Sequence, residues 1–143
     1  MSQDDLAIRQ FEDRDIDDVV GLWTRAGLVQ SHNDPVRDIQ FAMTGPASTI
    51  LLGHVNGSLV GAVMVGHDGH RGTVYYLGVD PDRQKNGLGA KMLNAAEDWL
   101  RKKGVWKLNL LIRANNHQVR DFYLKCGYVE EKRIAMARRI DNG

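Results

Sequence analysis

The stretch Val79–Leu93, V-D-P-D-R-Q-K-N-G-L-G-A-K-M-L, decides how the rest of the chain is interpreted. Two glycines, Gly87 and Gly89, lie between a polar segment and a run with apolar residues at helical spacing. A helix N-terminus leaves backbone N–H groups unpaired and carries about half a positive charge. Glycine lets a ligand approach that backbone closely. The stretch therefore predicts a phosphate-binding loop at the start of a helix.

Three phosphate-binding motifs compete for this loop. A P-loop requires G-x-x-x-x-G-K-[ST], which the stretch does not contain. A Rossmann fingerprint requires a third glycine where Met92 stands, and the preceding segments predict a meander rather than a βαβ unit. The third pattern, Q/R-x-x-G-x-G/A after a strand that ends in V-x-P, is matched in full by residues 79–89.

The composition is that of an ordinary globular protein. Of the 143 residues, 43% are hydrophobic and 26% are charged, so we expect one domain over residues 1–143. The net charge is +1 and long runs of like charge are missing, which argues against nucleic acid or a membrane as a partner. The single cysteine, Cys126, excludes an internal disulfide. The polar N-terminus is unlike a signal peptide, and a cytoplasmic location is expected.

Hydrophobic periodicity predicts the element order β-α-α-β-β-β-α-β-α-β-β. The strand pair that flanks the long helix should be parallel, whereas hairpins make the remaining pairs antiparallel. Asn56-Gly57 between two apolar runs is a strong hairpin signal. Helices are predicted from Asp15 to about Gly27 and over 35–43, 88–103 and 116–126, and strands over 6–11, 49–55, 58–65, 73–79, 107–112 and twice within 128–140.

A second block of sequence favours the third motif. Residues 116–128, N-H-Q-V-R-D-F-Y-L-K-C-G-Y, fit the pattern N-x-x-[AV]-x-x-[FL]-Y-x-K-x-G-[FY]. With both blocks in this order, the sequence resembles the GNAT N-acetyltransferase superfamily over essentially the whole chain. The stretches 33–35 and 68–79 are also similar to the small bacterial YpeA-type acetyltransferases. The resemblance implies an α/β (α+β) acyl-CoA N-acyltransferase fold, a mixed twisted sheet of about seven strands flanked by four helices.

The resemblance also implies acetyl-CoA as the acyl donor, and no metal. The pyrophosphate of the donor would lie on backbone N–H groups of the loop, with the charges of Arg83 and Lys85 nearby. A glycine-rich turn that merely caps the helix, with Asn86 as the cap, is the alternative. The residues implied in this part of the donor site are Gln84, Lys85, Asn86, Gly87, Leu88, Gly89 and Ala90.

Four further residues are assigned to the donor by the resemblance. The Leu77 N–H would face the thioester carbonyl, and the Val79 backbone would pair with pantetheine, which Asn116 also contacts. Tyr123 would protonate the departing CoA thiolate. Gly78, between the first two, marks a bulge, a close backbone approach or a bulky neighbour. The alternatives are a helix N-cap for Asn116 and a core aromatic for Tyr123.

The acceptor side has no comparable signature. The resemblance implies direct attack by a primary amine of a small molecule or peptide, and family precedent leaves a homodimer open. His67, Asp68 and His70 are candidates for the base, although Asp68-Gly69 favours a plain hairpin turn. The two histidines have ligand-like spacing, but no complete metal-ligand set is nearby. A catalytically idle acyl-CoA-binding or regulatory domain and a binder of another dinucleotide are the alternative functions.

Overall fold

A computed structural model describes residues 5–141, except for the side chains of Lys85 and Asn86. The chain is continuous and divides into two compact units between Leu110 and Leu111. The first unit contains β1 (Ala7–Gln10), α1 (Ile16–Arg25), α2 (Pro35–Ala42), β2 (Ser48–Val55), β3 (Ser58–His67), β4 (Gly72–Val79) and α3 (Leu88–Lys102), and the second contains α4 (His117–Lys125).

The first unit is built on an antiparallel sheet in the order β1-β2-β3-β4. Asn56 and Gly57, which join β2 to β3, have φ of +51° and +81°. Both central residues of a type I′ turn need positive φ, so the predicted hairpin is confirmed. The ladder is irregular at two places, between Gly53 and His54 and between Ala62 and Met64.

The four predicted helices are confirmed. Asp34 accepts a hydrogen bond from the Arg37 N–H (3.1 Å), and Pro35 is the first residue of α2. Gly104, which follows α3, has φ of +88°, as expected for a helix end. The first helix begins one residue later than predicted, at Ile16, because Asp13–Asp15 form a 3₁₀ turn ahead of it.

The strand count was predicted wrongly for the described residues, and the predicted parallel pair is reduced to a single bridge. The described sheet has four strands rather than about seven, and its ladders are antiparallel. Of the predicted strand 107–112, only Leu108 forms a bridge, with Gly72, and this bridge is parallel as predicted. The Gly72 N–H donates to the Lys107 carbonyl and the Asn109 N–H donates to the Gly72 carbonyl, both at 2.9 Å. The segment 128–140 forms no strand, and its large apolar side chains, such as Ile134 and Met136, are exposed. Alternation describes side-chain directions, whereas a strand also needs a neighbouring backbone for its hydrogen bonds.

Glycines in the sheet allow α3 to approach it closely. A Cβ atom at Gly61 would lie 2.8 Å from Met92 Cγ, and one at Gly53 would lie 2.7 Å from Met92 Sδ. A Cβ at Gly72 would lie 2.5 Å from Leu100 Cδ1. Real Cβ atoms do not approach this closely, so a larger residue at these strand positions requires Met92 or Leu100 to change its side-chain conformation.

The opposite face of the sheet packs against α1 and α2. Successive strand residues face opposite sides, so Ala62 points away from α3 while Gly61 faces it. Ala62 belongs to a buried cluster with Trp23 of α1 and Ile39 of α2. No helix in the described residues is long and apolar enough to cross a membrane.

Asp15 ties β1 to the start of α1. Both terminal guanidinium nitrogens of Arg9 donate to its carboxylate, at 2.7 and 2.8 Å, and the Glu12 N–H donates at 2.8 Å. These hydrogen bonds, chiefly those from Arg9, lower the pKa of Asp15 to about 2 although the residue is buried. The folded state therefore favours the ionised carboxylate, which stabilises the fold above the ordinary pKa.

We expect Asp15→Asn to lower the free energy of unfolding by about 2 kcal/mol at pH 7, because it removes a charge-assisted hydrogen-bonded pair. The difference from wild type should shrink as the pH falls from about 4 to about 2, where the wild-type carboxyl becomes protonated. Urea unfolding at several pH values measures this. Asp17→Asn, at an exposed site on α1, is the control. A wild-type advantage that does not change with pH would contradict the prediction.

Candidate active site

The glycine-containing loop follows directly from the end of β4. Asp80 accepts a hydrogen bond from the Asp82 N–H (3.0 Å) and begins a 3₁₀ turn over Pro81–Asn86. Gly87 ends this turn with φ of +69°, a left-handed conformation that favours glycine. A Cβ atom at Gly87 would have nothing within 4 Å, so its conformation, and not its surroundings, calls for glycine.

The N-terminus of α3 opens at this glycine. Gly87 itself is the N-cap residue, so the alternative interpretation, in which Asn86 caps the helix, is wrong. The Lys91 N–H donates to the Gly87 carbonyl at 3.2 Å. In a helix that begins here, the N–H groups of Leu88, Gly89 and Ala90 have no carbonyl partner within the helix. Together with the helix dipole, these groups form a site that favours an anion.

Two of the predicted donor residues near this loop have buried side chains. Val79 and Leu88 are buried with Val55 and Val60 in a small apolar cluster below the loop. The Gln84 side chain is exposed. The side chains of Lys85 and Asn86 lie outside the described part of the structure. The expectation that backbone groups of Val79 and the loop face a ligand is compatible with this burial.

A β-bulge interrupts β4 two residues before its end. Met64 of β3 pairs with Tyr75 and Ala62 pairs with Gly78, so Tyr76 and Leu77 together lie opposite the single residue Val63. In such a bulge, the extra residue is left out of the regular ladder and the strand bends. The bulge therefore changes the direction of the backbone at Leu77, the predicted oxyanion donor.

Trp23 supports the bulge from the α1 side. A Cβ atom at Gly78 would lie 2.9 Å from Trp23 Cδ1 and 2.9 Å from Leu28 Cδ1. The Trp23 ring is fully buried, and its Nε1 donates a long 3.4 Å hydrogen bond to the Ala62 carbonyl. Gly78 thus lies under a bulky neighbour and also beside a bulge, so two of its predicted roles coexist.

The histidine candidates lie in a turn at the far end of β4. His67 pairs with Gly72, five residues before Leu77, which places the two about 16 Å apart along the strand. His67 Nδ1 accepts from the Gly69 N–H (3.0 Å), and Asp68 accepts from the His70 and Arg71 N–H groups. The turn interpretation is supported for these residues, and the base stays unassigned. Within residues 5–141, no group of three or more His, Cys, Asp or Glu residues could hold a metal ion.

The second unit contains the other two candidates. Asn116 Oδ1 accepts from the Val119 N–H at 3.2 Å, so this residue caps α4. Tyr123 is 8% exposed and contacts Phe122 and Tyr128 edge to face, with centroids 5.1 and 5.4 Å away. Burial, with a smaller contribution from Cys126, raises the pKa of Tyr123 to about 12. Its phenol therefore keeps its proton at neutral pH.

Comparison with known proteins now decides the family. The family model described as "Acetyltransferase (GNAT) family" matches residues 15–128. The chain belongs to the GNAT acetyltransferase family. An acetyltransferase of Yersinia pestis (strain Pestoides F) is 36% identical over 135 residues, which cover 94% of this chain and 96% of that protein. A Yersinia pseudotuberculosis serotype I acetyltransferase is equally similar.

Solved structures show the GNAT fold at lower identity. The aminoglycoside N-acetyltransferase AAC(6')-Iy, in complex with a bisubstrate analogue, aligns with a TM-score of 0.81 at 16% identity. The alignment covers 96% of this chain and 99% of that one. Glucosamine-6-phosphate N-acetyltransferase from Arabidopsis thaliana aligns with a TM-score of 0.69 at 21% identity, over 96% of this chain and all of the other.

One part of this GNAT chain was not identified from the sequence. Tyr76 stacks on Trp23, with ring centroids 4.4 Å apart, and its hydroxyl donates to Asp38 of α2 at 2.6 Å. Gly78 indicated a bulge. The sequence has no feature, however, that places the bulge at Tyr76 or that pairs Tyr76 with Asp38, 38 positions earlier.

The left-handed conformation of Gly87 leads to a prediction that separates strain from crowding. Both Gly87→Asn and Gly87→Val add a side chain to open space, but asparagine tolerates positive φ far better than a β-branched residue. Gly87→Val should therefore be about 1 kcal/mol less stable than Gly87→Asn in urea unfolding. Equal stabilities would show that the loop adjusts its backbone freely at this GNAT helix N-terminus.

Proposed function

We propose that this protein is an N-acetyltransferase that transfers an acetyl group from acetyl-CoA to a primary amine by direct attack in a ternary complex. The observation that supports this most strongly is the left-handed Gly87 at the N-terminus of α3, directly after the bulged strand β4, in a chain of the GNAT family. The proposed donor residues are Leu77, Val79, Asn116, Tyr123 and the loop residues Gln84, Lys85, Asn86, Gly87, Leu88, Gly89 and Ala90.

The loop fits a pyrophosphate because it offers N–H groups and open space. A Cβ atom at Gly87 would contact nothing within 4 Å, so the first turn of α3 is accessible there. The N–H groups of Leu88, Gly89 and Ala90 donate to the bound anion, and the helix dipole favours its charge. No acidic residue occupies the first turn of α3, so no carboxylate there opposes the anion.

Leu77 polarises the thioester carbonyl in this proposal. The bulge takes the backbone of β4 out of its regular pairing at Tyr76 and Leu77, which makes an N–H available for a ligand. When the amine attacks, negative charge develops on the carbonyl oxygen. One backbone donor aimed at such an oxyanion stabilises the transition state by about 3 kcal/mol in comparable enzymes.

Tyr123 is the proposed donor to the sulfur. As the new C–N bond forms and the C–S bond breaks, the CoA sulfur leaves with the electron pair. A phenol with a pKa near 12 is fully protonated, but it is a weak acid beside a thiol of pKa about 8.5. Transfer of the phenol proton to a free thiolate is therefore uphill by about three pKa units. Tyr123 stabilises the departing sulfur by a hydrogen bond, and the proton that it passes to the sulfur is replaced by one from the attacking nitrogen, which carries an extra proton after the C–N bond forms. In this proposal Asn116, the N-cap residue of the same helix, contacts pantetheine with its amide.

We further propose that the acceptor is a small-molecule amine. The solved structures that share the fold include aminoglycoside and glucosamine-6-phosphate N-acetyltransferases, both of which act on amino sugars according to their names. A primary amine is mostly protonated at neutral pH, so its proton must be removed before attack. The base for that step is unassigned in this chain, and a water molecule can serve it.

One set of assays tests the donor and the acceptor together. CoA release is measured with panels of aminoglycosides, amino sugars, polyamines, amino acids and peptides, and thermal stabilisation by acetyl-CoA is measured in parallel. Stabilisation with turnover of a primary amine is the expected result. Stabilisation without turnover on any acceptor would instead favour an idle acyl-CoA-binding domain. No stabilisation by acetyl-CoA would refute the proposed function.

Tyr123→Phe tests the acid separately. The ring and its packing against Phe122 and Tyr128 are retained, so only the hydroxyl is lost. We expect kcat to fall by about 10²–10³-fold while the dissociation constant for acetyl-CoA changes by less than about threefold. Phe122→Leu is the control for packing, because it alters the contact with the Tyr123 ring and leaves the Tyr123 hydroxyl in place. Parallel losses of kcat and affinity in Tyr123→Phe would make Tyr123 a structural residue.

A further inference from the structure

The backbone of Tyr76 adopts an unusual conformation at the bulge. Its φ is +53°, whereas among the other described residues only one non-glycine residue, Asn56, has positive φ. Asparagine is common in this region, but a bulky aromatic residue there is an outlier that costs free energy. Such a conformation persists only where the surroundings hold it.

The Tyr76 side chain is held through its ring and through its hydroxyl, which also interacts with the Asn33 side chain. Its ring stacks on Trp23 with centroids 4.4 Å apart and an interplanar angle of 18°. Its hydroxyl donates to Asp38 Oδ2 at 2.6 Å, a short bond to a charged acceptor. Burial and the Asp38 carboxylate raise the pKa of Tyr76 well above its ordinary value. The hydroxyl thus remains a donor throughout the pH range of an enzyme assay.

Trp23 makes this arrangement rigid because it contacts both neighbours of Leu77. It stacks on Tyr76, and its Cδ1 lies only 2.9 Å from the position that a Cβ atom at Gly78 would occupy. Trp23 is itself fully buried and bonded to the Ala62 carbonyl. The peptide units on either side of Leu77 are therefore fixed from the side of α1, and the Asp38 bond adds a connection to α2.

We propose that Tyr76 is a positioning residue, whose hydrogen bond to Asp38 holds the bulge in the conformation that aims the Leu77 N–H at the thioester carbonyl. This inference rests on the proposed function, because it assigns Leu77 as the oxyanion donor. Tyr76 and Asp38 act through the backbone and need not contact the reacting atoms. Their loss should lower catalysis through the transition state and leave binding of the donor largely intact.

Kinetics of matched variants test this role. Tyr76→Phe keeps the stacked ring and removes the hydrogen bond, Asp38→Ala removes the acceptor, and Asp38→Asn retains an oxygen acceptor. We expect about a tenfold fall in kcat for the first two, with the acetyl-CoA dissociation constant changed by less than about twofold. Asp38→Asn should recover at least half of wild-type kcat. Tyr75→Phe, on the same strand, is the control and should match wild type.

The double variant shows whether the two residues act together. Because both single changes break the same bond, Tyr76→Phe with Asp38→Ala should lose no more kcat than either change alone. Multiplied losses, wild-type kcat in Tyr76→Phe, or equal losses of kcat and donor affinity would each overturn the proposal.

The Leu77 amide resonance provides a readout that does not depend on turnover. In the ligand-free protein, Tyr76→Phe and Asp38→Ala should shift the ¹H–¹⁵N resonance of Leu77, and Tyr75→Phe should not. An unmoved Leu77 resonance overturns the inference even if the enzyme is active. If the wild type turns over no amine, the proposed function fails, and the resonance still decides whether the hydrogen bond controls the bulge.

Discussion

The bulge in β4 is the constraint on which the site in the first unit depends. Two residues, Tyr76 and Leu77, oppose Val63, so the last part of the strand leaves the regular ladder before it reaches the loop. Trp23 packs against the bulge: its Cδ1 lies close to Gly78, and its ring stacks on Tyr76. In a strand that continued straight, the backbone groups that face β3 would pair with it and would not be available to a ligand.

The loop after β4 and the helix after the loop follow from this geometry. Asp80 starts the 3₁₀ turn and Gly87 ends it, which brings the N-terminus of α3 next to the end of β4. Leu88 then packs with Val79, so the first residue of the helix and the last residue of the strand share one apolar cluster. Core packing thus fixes the relation between the two backbone segments that are proposed to bind the donor.

Much of this arrangement could be predicted from the sequence because it depends on local signals. Asn56-Gly57, Asp34-Pro35 and the Gly87 loop each specify their own backbone conformation, and all three have the predicted geometry. The strand count was overestimated because alternation in 107–112 and 128–140 says nothing about a hydrogen-bonding neighbour. The contact between Tyr76 and Asp38 was beyond reach for a different reason: it depends on how two distant elements pack, which no local pattern encodes.

The residue that excluded a dinucleotide fingerprint also shows how this loop is built into its sheet. In that fingerprint a glycine on the helix lets the helix and strand pack closely. Here Met92 stands on the helix, and the small residues are Gly53 and Gly61, on the strands beneath it. The glycines that permit close packing are therefore on the strands and not on the helix, more than thirty positions upstream of Met92. Transplanting residues 79–93 into another protein would therefore fail to reproduce the loop unless the host sheet supplied the same two gaps.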